Sequence, residues 1–334
     1  MGALADARND TALTEGPGRR GPLFLAGCAL LFGFALVAAL APLLAPHDPR
    51  LPVGPPLAWP TRAHLLGTND LGQDILSQLI HGARPTLIAA GWVTALATLL
   101  SWLVGLAAGF ARWAEGPLLA ATDLLLALPN IPLYLLVLTL LGPSQRNLIL
   151  VLALLAWPAF ARIVRSLVIG ARSAAYVEAS RMLGASAGHI LRVHLLPATL
   201  AVMPANLVLT ARFAIAAEAT LAFLGLSGNA LTWGAMLSWA FADPLLFLRP
   251  VWPWLVLPPT LAIVLLILAV TWVGGGIAGG VTPRPRPPAP LAQDASTDRH
   301  GSSPRRTPAR DRAAHAPPAP QWRATRRRRA ADRR

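Results

Sequence analysis

The chain has 334 residues, 54% of them hydrophobic and 13% charged, with a mean hydropathy of +0.52, values that exclude an ordinary soluble domain and fit an integral membrane protein. All 29 basic residues are arginine; a Walker A loop needs its lysine, so no standard ATP-binding P-loop is encoded. The net charge of +14 is local: from Thr282 onward fourteen arginines face four aspartates, so +10 belongs to the tail and does not indicate a specific nucleic-acid partner.

Residues 1–20 are small, polar and aperiodic and read as a disordered N-terminus ending in Arg19-Arg20. Residues 23–44 form an apolar run of bilayer-crossing length, about 20 residues. It is too long for a signal peptide and has no clean small-residue cleavage site, so it reads as a retained first span. Cys28 lies inside it, and a single cysteine excludes an internal disulfide.

Residues 47–84 are polar and Pro-rich, then amphipathic. Ile75, Leu76, Leu79 and Ile80 share one face, which predicts a helix lying on the outer leaflet. Within it, HLLGTNDLGQDILSQLIHGAR (64–84) resembles the segment before the second span of dipeptide, oligopeptide and nickel permeases. Gly67-Thr68, Gly72, Asp74, Leu76-Ser77 and Gly82-Ala83-Arg84 are kept, while Asn69, Gln73 and Gln78 replace an acid and two arginines of that pattern.

Five more spans are expected at 87–110, 118–141, 147–169, 199–226 and 251–273, making six. Pro129, Asn130 and Pro132 interrupt the third, Pro158 the fourth and Pro204 the fifth. Such breaks survive in a membrane only where neighbouring helices or a wet cavity satisfy the freed backbone. Trp113, Trp233, Trp239, Trp252 and Trp254 fall near span ends, as an interfacial belt would. With the N-terminus inside, nine arginines before the tail lie on the inner side (Arg8, Arg19, Arg20, Arg112, Arg162, Arg165, Arg172, Arg181, Arg192) against five outside (Arg50, Arg62, Arg84, Arg146, Arg249). Both termini and the 170–197 loop are therefore placed in the cytoplasm.

That loop holds YVEASRMLGASAGHILRVHLLP (176–197). Tyr176, Ala179, Ser180 and Leu183 recur at helical spacing, Gly184 ends the helix and Ser186 is placed to cap a second one. The stretch resembles the coupling loop of ABC-importer permeases: Glu178-Ala179-Ser180, then Gly184, then His194, Leu196 and Pro197. Ser180 replaces an alanine, and His194 stands at an apolar position. Downstream, Glu218-Ala219, Phe223-Leu224-Gly225-Leu226 and Trp233-Gly234-Ala235-Met236-Leu237 resemble further motifs of the same family.

The resemblance covers about residues 22–284. It implies a C-type permease subunit with the all-α, six-span, type I importer fold, a transmembrane domain at 21–281 and a coupling loop at 170–197. It further implies a second homologous permease, two cytoplasmic ATPases that use ATP and Mg, and an extracytoplasmic solute-binding protein. The cargo would be a peptide or a related small solute such as nickel or an opine, moved across a bacterial inner membrane. Tyr176, Glu178, Ala179, Arg181, Leu183, Gly184, Leu196 and Pro197 would seat on the ATPase, with Glu178 orienting the loop through Arg181 or another inner arginine. Without the resemblance, the loop also reads as an interfacial helix joining two spans.

Three ionisable residues lie in or near spans, where a charge costs roughly 2.5–3.5 kcal/mol and calls for a partner or water. Asp123 can pair with Arg162 or Arg165. Glu218 matches a family glutamate, and Arg212 stands where a small or apolar residue is usual; six residues apart, they are poorly placed as helical partners. Arg212 either meets another subunit or lines the path. The seven histidines are scattered, with no H-E-x-x-H and no G-x-S-x-G elbow, so no catalytic residue, cofactor or metal constellation is expected on this chain. An ion-driven secondary transporter is the rival class; it calls for inverted repeats and midplane acids, and only Glu218 is a candidate. In the tail, Gly275, Ala278, Gly279 and Thr282 have lost the family's charged or polar groups, which predicts a loosely anchored end to the last span. Residues 282–334 are Pro/Ala/Arg-rich and read as disordered, with the arginine run 326–329 suited to anionic headgroups or to solvent.

Overall fold

The computed structural model describes residues 21–278. The N-terminal segment 1–20, Gly279, Thr282 and the arginine-rich tail lie outside the described residues. Within them every regular element is helical. Five helices are long and apolar enough to cross a membrane, and a sixth crossing exists if one sharply bent pair counts as one.

α1 (Pro22–Ala39) opens on a proline, whose missing N–H is no loss in a first turn. It stops at Leu40 and gives way to a single turn, α2 (Ala41–Leu44), so the first apolar run is not one continuous helix. α3 (Ile75–Phe110) runs for 36 residues, about 54 Å at 1.5 Å per residue, well beyond the roughly 30 Å hydrocarbon core. The amphipathic segment expected to lie on the outer leaflet is thus the first part of α3. The polar face that would have pointed to water is buried instead: Ser77 and Gln78 are inaccessible, and Gln78 donates to the Pro49 carbonyl at 3.1 Å and to Gln73 Oε1 at 2.7 Å.

α4 (Arg112–Ala127) and α5 (Asn130–Leu141) meet at 96°, so the third apolar run is a bent pair. Leu128 precedes a proline and is pushed into extended backbone, with ψ 140°. α6 (Gln145–Ala156) and α7 (Pro158–Arg172) act as one 28-residue crossing, because Pro158 sits where a helix starts anyway. Pro204 likewise opens α11 (Met203–Phe223) rather than breaking it. Between α7 and α11 lie α8 (Ala175–Met182), α9 (Ala187–Ile190), a π-helical segment (Leu191–Leu195) and α10 (Leu196–Leu200). After α11, Thr232 caps α12 (Trp233–Phe241), and α13 (Trp252–Ala278) closes the described chain.

Alternation of the crossings puts residues 45–74, 142–144 and 224–251 at one end of the bundle and residues 173–202 at the other. At the first end Trp233 is buried against α3, donating Nε1–H to the Leu79 carbonyl at 2.9 Å, and Trp254 is buried against Trp59, with ring centroids 4.8 Å apart. These two tryptophans are core residues and not part of an interfacial belt; Trp113, Trp239 and Trp252 remain exposed. At the second end Gly274 of α13 packs against Val208 and Gly276 against Phe24, where a Cβ would stand 2.3 and 2.2 Å from the neighbouring side chain, while Gly275 between them has open space.

The most extensive helix contact joins α3 to α7. A Cβ at Gly105 would stand 2.6 Å from the Ala161 carbonyl oxygen, and one at Gly109 would stand 2.6 Å from Val168 Cβ. Two glycines four apart let the backbones meet, as small-xxx-small pairs do in membranes. Arg172 then donates to the Gly109 and Phe110 carbonyls at 2.8 and 3.2 Å, satisfying the otherwise open end of α3. Gly105→Ala should lower the thermal midpoint of the detergent-purified chain, overpacking costing about 1–3 kcal/mol. Gly91→Ala, on a part of α3 with open space around it, should leave it unchanged or raise it by the helix-propensity gain.

Candidate functional site

α8 ends in a complete Schellman motif. Leu183 is the last residue before Gly184, whose φ is +84°. Gly184 N–H donates to the Arg181 carbonyl at 2.9 Å, and Ala185 N–H to the Ser180 carbonyl at 3.0 Å. Ser186 then caps α9, its Oγ accepting from the His189 N–H at 3.3 Å. The chain continues through the π-helical segment into α10 and α11. The outcome is a helical knob with a left-handed elbow at its tip.

Its base is apolar and closed. Val177, Ile190 and Leu195 are buried with Val164 and Val168 of α7, flanked by Trp102, Leu106 and Phe110 of α3. Trp102 Nε1–H donates to Thr199 Oγ1 at 3.1 Å, tying α3 to α10. The tip is the reverse: Tyr176, Met182 and Leu183 are 54, 84 and 89% exposed, an apolar surface largely open among the described residues. Glu178, Ala179, Arg181 and Gly184 are exposed with them, Pro197 is exposed on α10 and Leu196 is half-buried. Glu178 pairs with neither Arg181 nor any other described arginine; it points to solvent beside the apolar tip. Periodicity singled out the tip but missed its base, because Val177 looks like any other apolar residue until α7 is placed against it.

The two departures from the loop pattern touch each other. Ser180 Oγ lies 3.2 Å from His194 Nε2, and the His194 ring lies 5.4 Å from that of Tyr176. The arms of the knob are thereby joined by a polar contact.

Asp123 and Arg162 form an ion pair, as one of the two expected alternatives has it, while Arg165 takes Glu115. Both pairs link α4 to α7 and are partly exposed, so each adds little stability. Glu218 is buried beside Thr232, with neither carboxyl oxygen in a well-formed hydrogen bond. Arg212 is half-buried and has no hydrogen bond or ion pair among the described residues; it does not meet Glu218. One turn along α11 from Arg212 opens a groove of about 480 Å³ between α5 and α11, lined by Asn130, Tyr134, Phe213, Ala216, Ala217 and Thr220 among others. Asp123, Arg212 and Glu218 therefore occupy three separate places.

The histidines, scattered in sequence, are not all scattered in space. His47, His64 and Asp74 bring potential ligand atoms within 4.8 Å of one another at the end opposite the knob. Spacings of 17 and 10 residues across an irregular segment carry no motif, so this grouping is invisible before folding.

A bundle of apolar crossings with broken helices, a groove beside the break and a rigidly based knob at one end defines a multi-pass membrane transport subunit. Residues 97–284, which include the knob, match the family of binding-protein-dependent transport system inner membrane components. The chain is 32% identical over 271 residues to a dipeptide transport system permease protein of Alkalihalophilus pseudofirmus, covering 80% of this chain and 87% of that one. It is 34% identical over 270 residues to a di/tripeptide transport system permease protein of Pseudomonas aeruginosa, covering 78% and 88%. It is 32% identical over 228 residues to a glutathione transport system permease protein of Pectobacterium atrosepticum, covering 67% and 74%. The chain belongs to this family and is the permease component of an ABC importer, which sets aside the ion-driven reading.

Tip and base differ in what they hold together, and stability measurements separate them. Replacing Leu183 with Ser should change the thermal midpoint of the purified chain little, within about 0.5 kcal/mol, as for exposed sites generally. Val177→Ser buries a hydroxyl in an apolar contact and should lower the midpoint by the equivalent of about 1–3 kcal/mol.

Proposed function

We propose that this chain is the C-type permease of a peptide importer, its cargo a di- or oligopeptide or a related small solute delivered by an extracytoplasmic binding protein. Its permease relatives named for dipeptide and glutathione transport support that cargo class. A second permease would complete the pathway, and two ATPases would dock on the knob and consume the ATP and Mg. The arginine bias supports a cytoplasmic knob and cytoplasmic termini.

The observation that carries the reading is the contrast within the knob, with an uncovered apolar tip on a sealed base. Tyr176, Met182 and Leu183 offer a partner an apolar face, while Val177, Ile190 and Leu195 transmit its displacement to α7. Because α7 and α3 meet backbone to backbone at Gly105 and Gly109, the two helices move as one body. ATP-driven closure of the ATPases would then rock α3 and α7 against the rest of the bundle, in the sense of alternating access. In this reading the groove between α5 and α11 is part of the path, and Arg212 stands one turn along α11 from it, beside the lining residue Phe213.

The test is reconstitution with the ATPases, binding protein and second permease in liposomes. Gly184→Pro cannot keep a φ of +84°, and Glu178→Lys reverses the charge at the tip. Each should cut ATP-dependent uptake of a labelled dipeptide at least tenfold and weaken ATPase co-purification, while the chain still inserts in the membrane. Normal uptake by both variants would refute the knob as the coupling element.

A further inference from the structure

The geometry points to a divalent transition-metal site of the Zn²⁺ class, built by His47, His64 and Asp74 at the end of the bundle opposite the knob. It stands on side-chain geometry alone and is independent of the transport reading.

The three residues come from three pieces of chain: His47 follows α2, His64 lies in the irregular segment between α2 and α3, and Asp74 is the capping residue of α3. His64 Nδ1 is 3.2 Å from Asp74 Oδ1, and His47 Nδ1 is 3.9 Å from Asp74 Oδ2. The candidate ligand atoms all lie within 4.8 Å of one another. Ligands about 2.0–2.1 Å from a tetrahedral ion stand roughly 3.3 Å apart; His64 and Asp74 already have that spacing, and His47 would move inward to complete the set.

Two features go beyond a helix cap with a hydrogen-bonded histidine. His47 Nδ1 is buried and has no hydrogen-bond partner although it faces a carboxylate, a costly arrangement unless something joins them. The remaining groups are also held in place. Ser77 donates both its N–H and its hydroxyl to Asp74 Oδ2, at 2.8 and 2.7 Å, and the His47 N–H donates to Ser77 Oγ at 3.1 Å. His64 Nε2 packs against Gly54, where a Cβ would stand 2.9 Å away, leaving Nδ1 turned to Asp74. Hydrogen-bonded support behind a ligating carboxylate is the usual outer shell of a metal site.

Two imidazoles and one carboxylate suit a borderline ion such as Zn²⁺ and not Mg²⁺ or Ca²⁺, which take oxygen ligands. Three protein ligands leave a fourth position, and the His47 side chain is 32% exposed, so water can complete the set. A bound ion would clip the chain after the first crossing, the irregular segment and the start of α3 into one unit.

The experiment is a Zn²⁺ titration of the full chain, without a histidine tag, in lipid nanodiscs, followed by calorimetry and thermal unfolding. One Zn²⁺ should bind per chain and raise the unfolding midpoint, while Mg²⁺ at the same concentration should not. His47→Ala and His64→Ala should each weaken binding at least tenfold and abolish the upward shift. His47→Ala is the decisive variant, because the His47 ring makes no side-chain hydrogen bond among the described residues and contacts the His64 ring and the Asp74 carboxylate, and the variant's Zn²⁺-dependent shift is read against its own metal-free midpoint. A His189→Ala/His194→Ala control should bind as the parent does. No saturable Zn²⁺ binding at tens of micromolar, binding unchanged by His47→Ala, or equal stabilisation by Mg²⁺ would each overturn the site.

Discussion

The direct backbone contact between α3 and α7 at Gly105 and Gly109 is the constraint on which the rest of the bundle depends. In a bilayer, apolar side chains gain nothing by leaving lipid for one another, so helices associate through close packing and hydrogen bonds. At this contact the Val164 and Val168 side chains lie directly on the two glycines, and sliding would drive them into the backbone of α3. The Arg172 contacts with the Gly109 and Phe110 carbonyls fix the same pair at its end. The knob rests on that pair, so its orientation follows from a contact it does not itself make.

This arrangement explains a division of labour along a short stretch of sequence. Val177, Ile190 and Leu195 face inward and hold the knob to α7, while Tyr176, Met182 and Leu183 face outward. The coupling role proposed for the knob calls for both properties, a stiff attachment and a free end. The Schellman elbow supplies the geometry, since Gly184 turns the chain at φ +84° without the roughly 1–2 kcal/mol that a side chain would cost there. With Ser186 starting the next helix at once, the turn is short and closed by hydrogen bonds at both ends.

The parts legible in the sequence are those governed by local chemistry. Apolar run length marks the crossings, Gly184 the elbow and Ser186 the cap. Pro129 makes Leu128 extended, though only the fold shows that the break becomes a 96° bend. The misreadings share one cause. Ser77 and Gln78 look like the wet face of a surface helix because their partners, Asp74, Gln73 and the Pro49 carbonyl, are assembled by an irregular segment with no periodicity to read. Trp233 looks interfacial until α12 folds back over α3 and supplies the Leu79 carbonyl. Gly274 and Gly276 carry no signal of their own in the sequence, and only the fold shows that they let Val208 and Phe24 approach.

Ser180 and His194 make the same point inside the knob. Taken singly, each is a polar substitution in a loop whose pattern wants a small and an apolar residue, and each would seem to weaken it. In the fold they lie on opposite arms, 3.2 Å apart, with the His194 ring also beside Tyr176. The imidazole arrives through the π-helical segment Leu191–Leu195, whose wider turn changes which residues face α8. A hydrogen bond across the two arms thus stands where apolar packing would otherwise join them, and it ties Tyr176 at the tip to the segment that leads into α11. Polar residues at two positions can therefore preserve one link between the arms of the knob, whatever chemistry joins them.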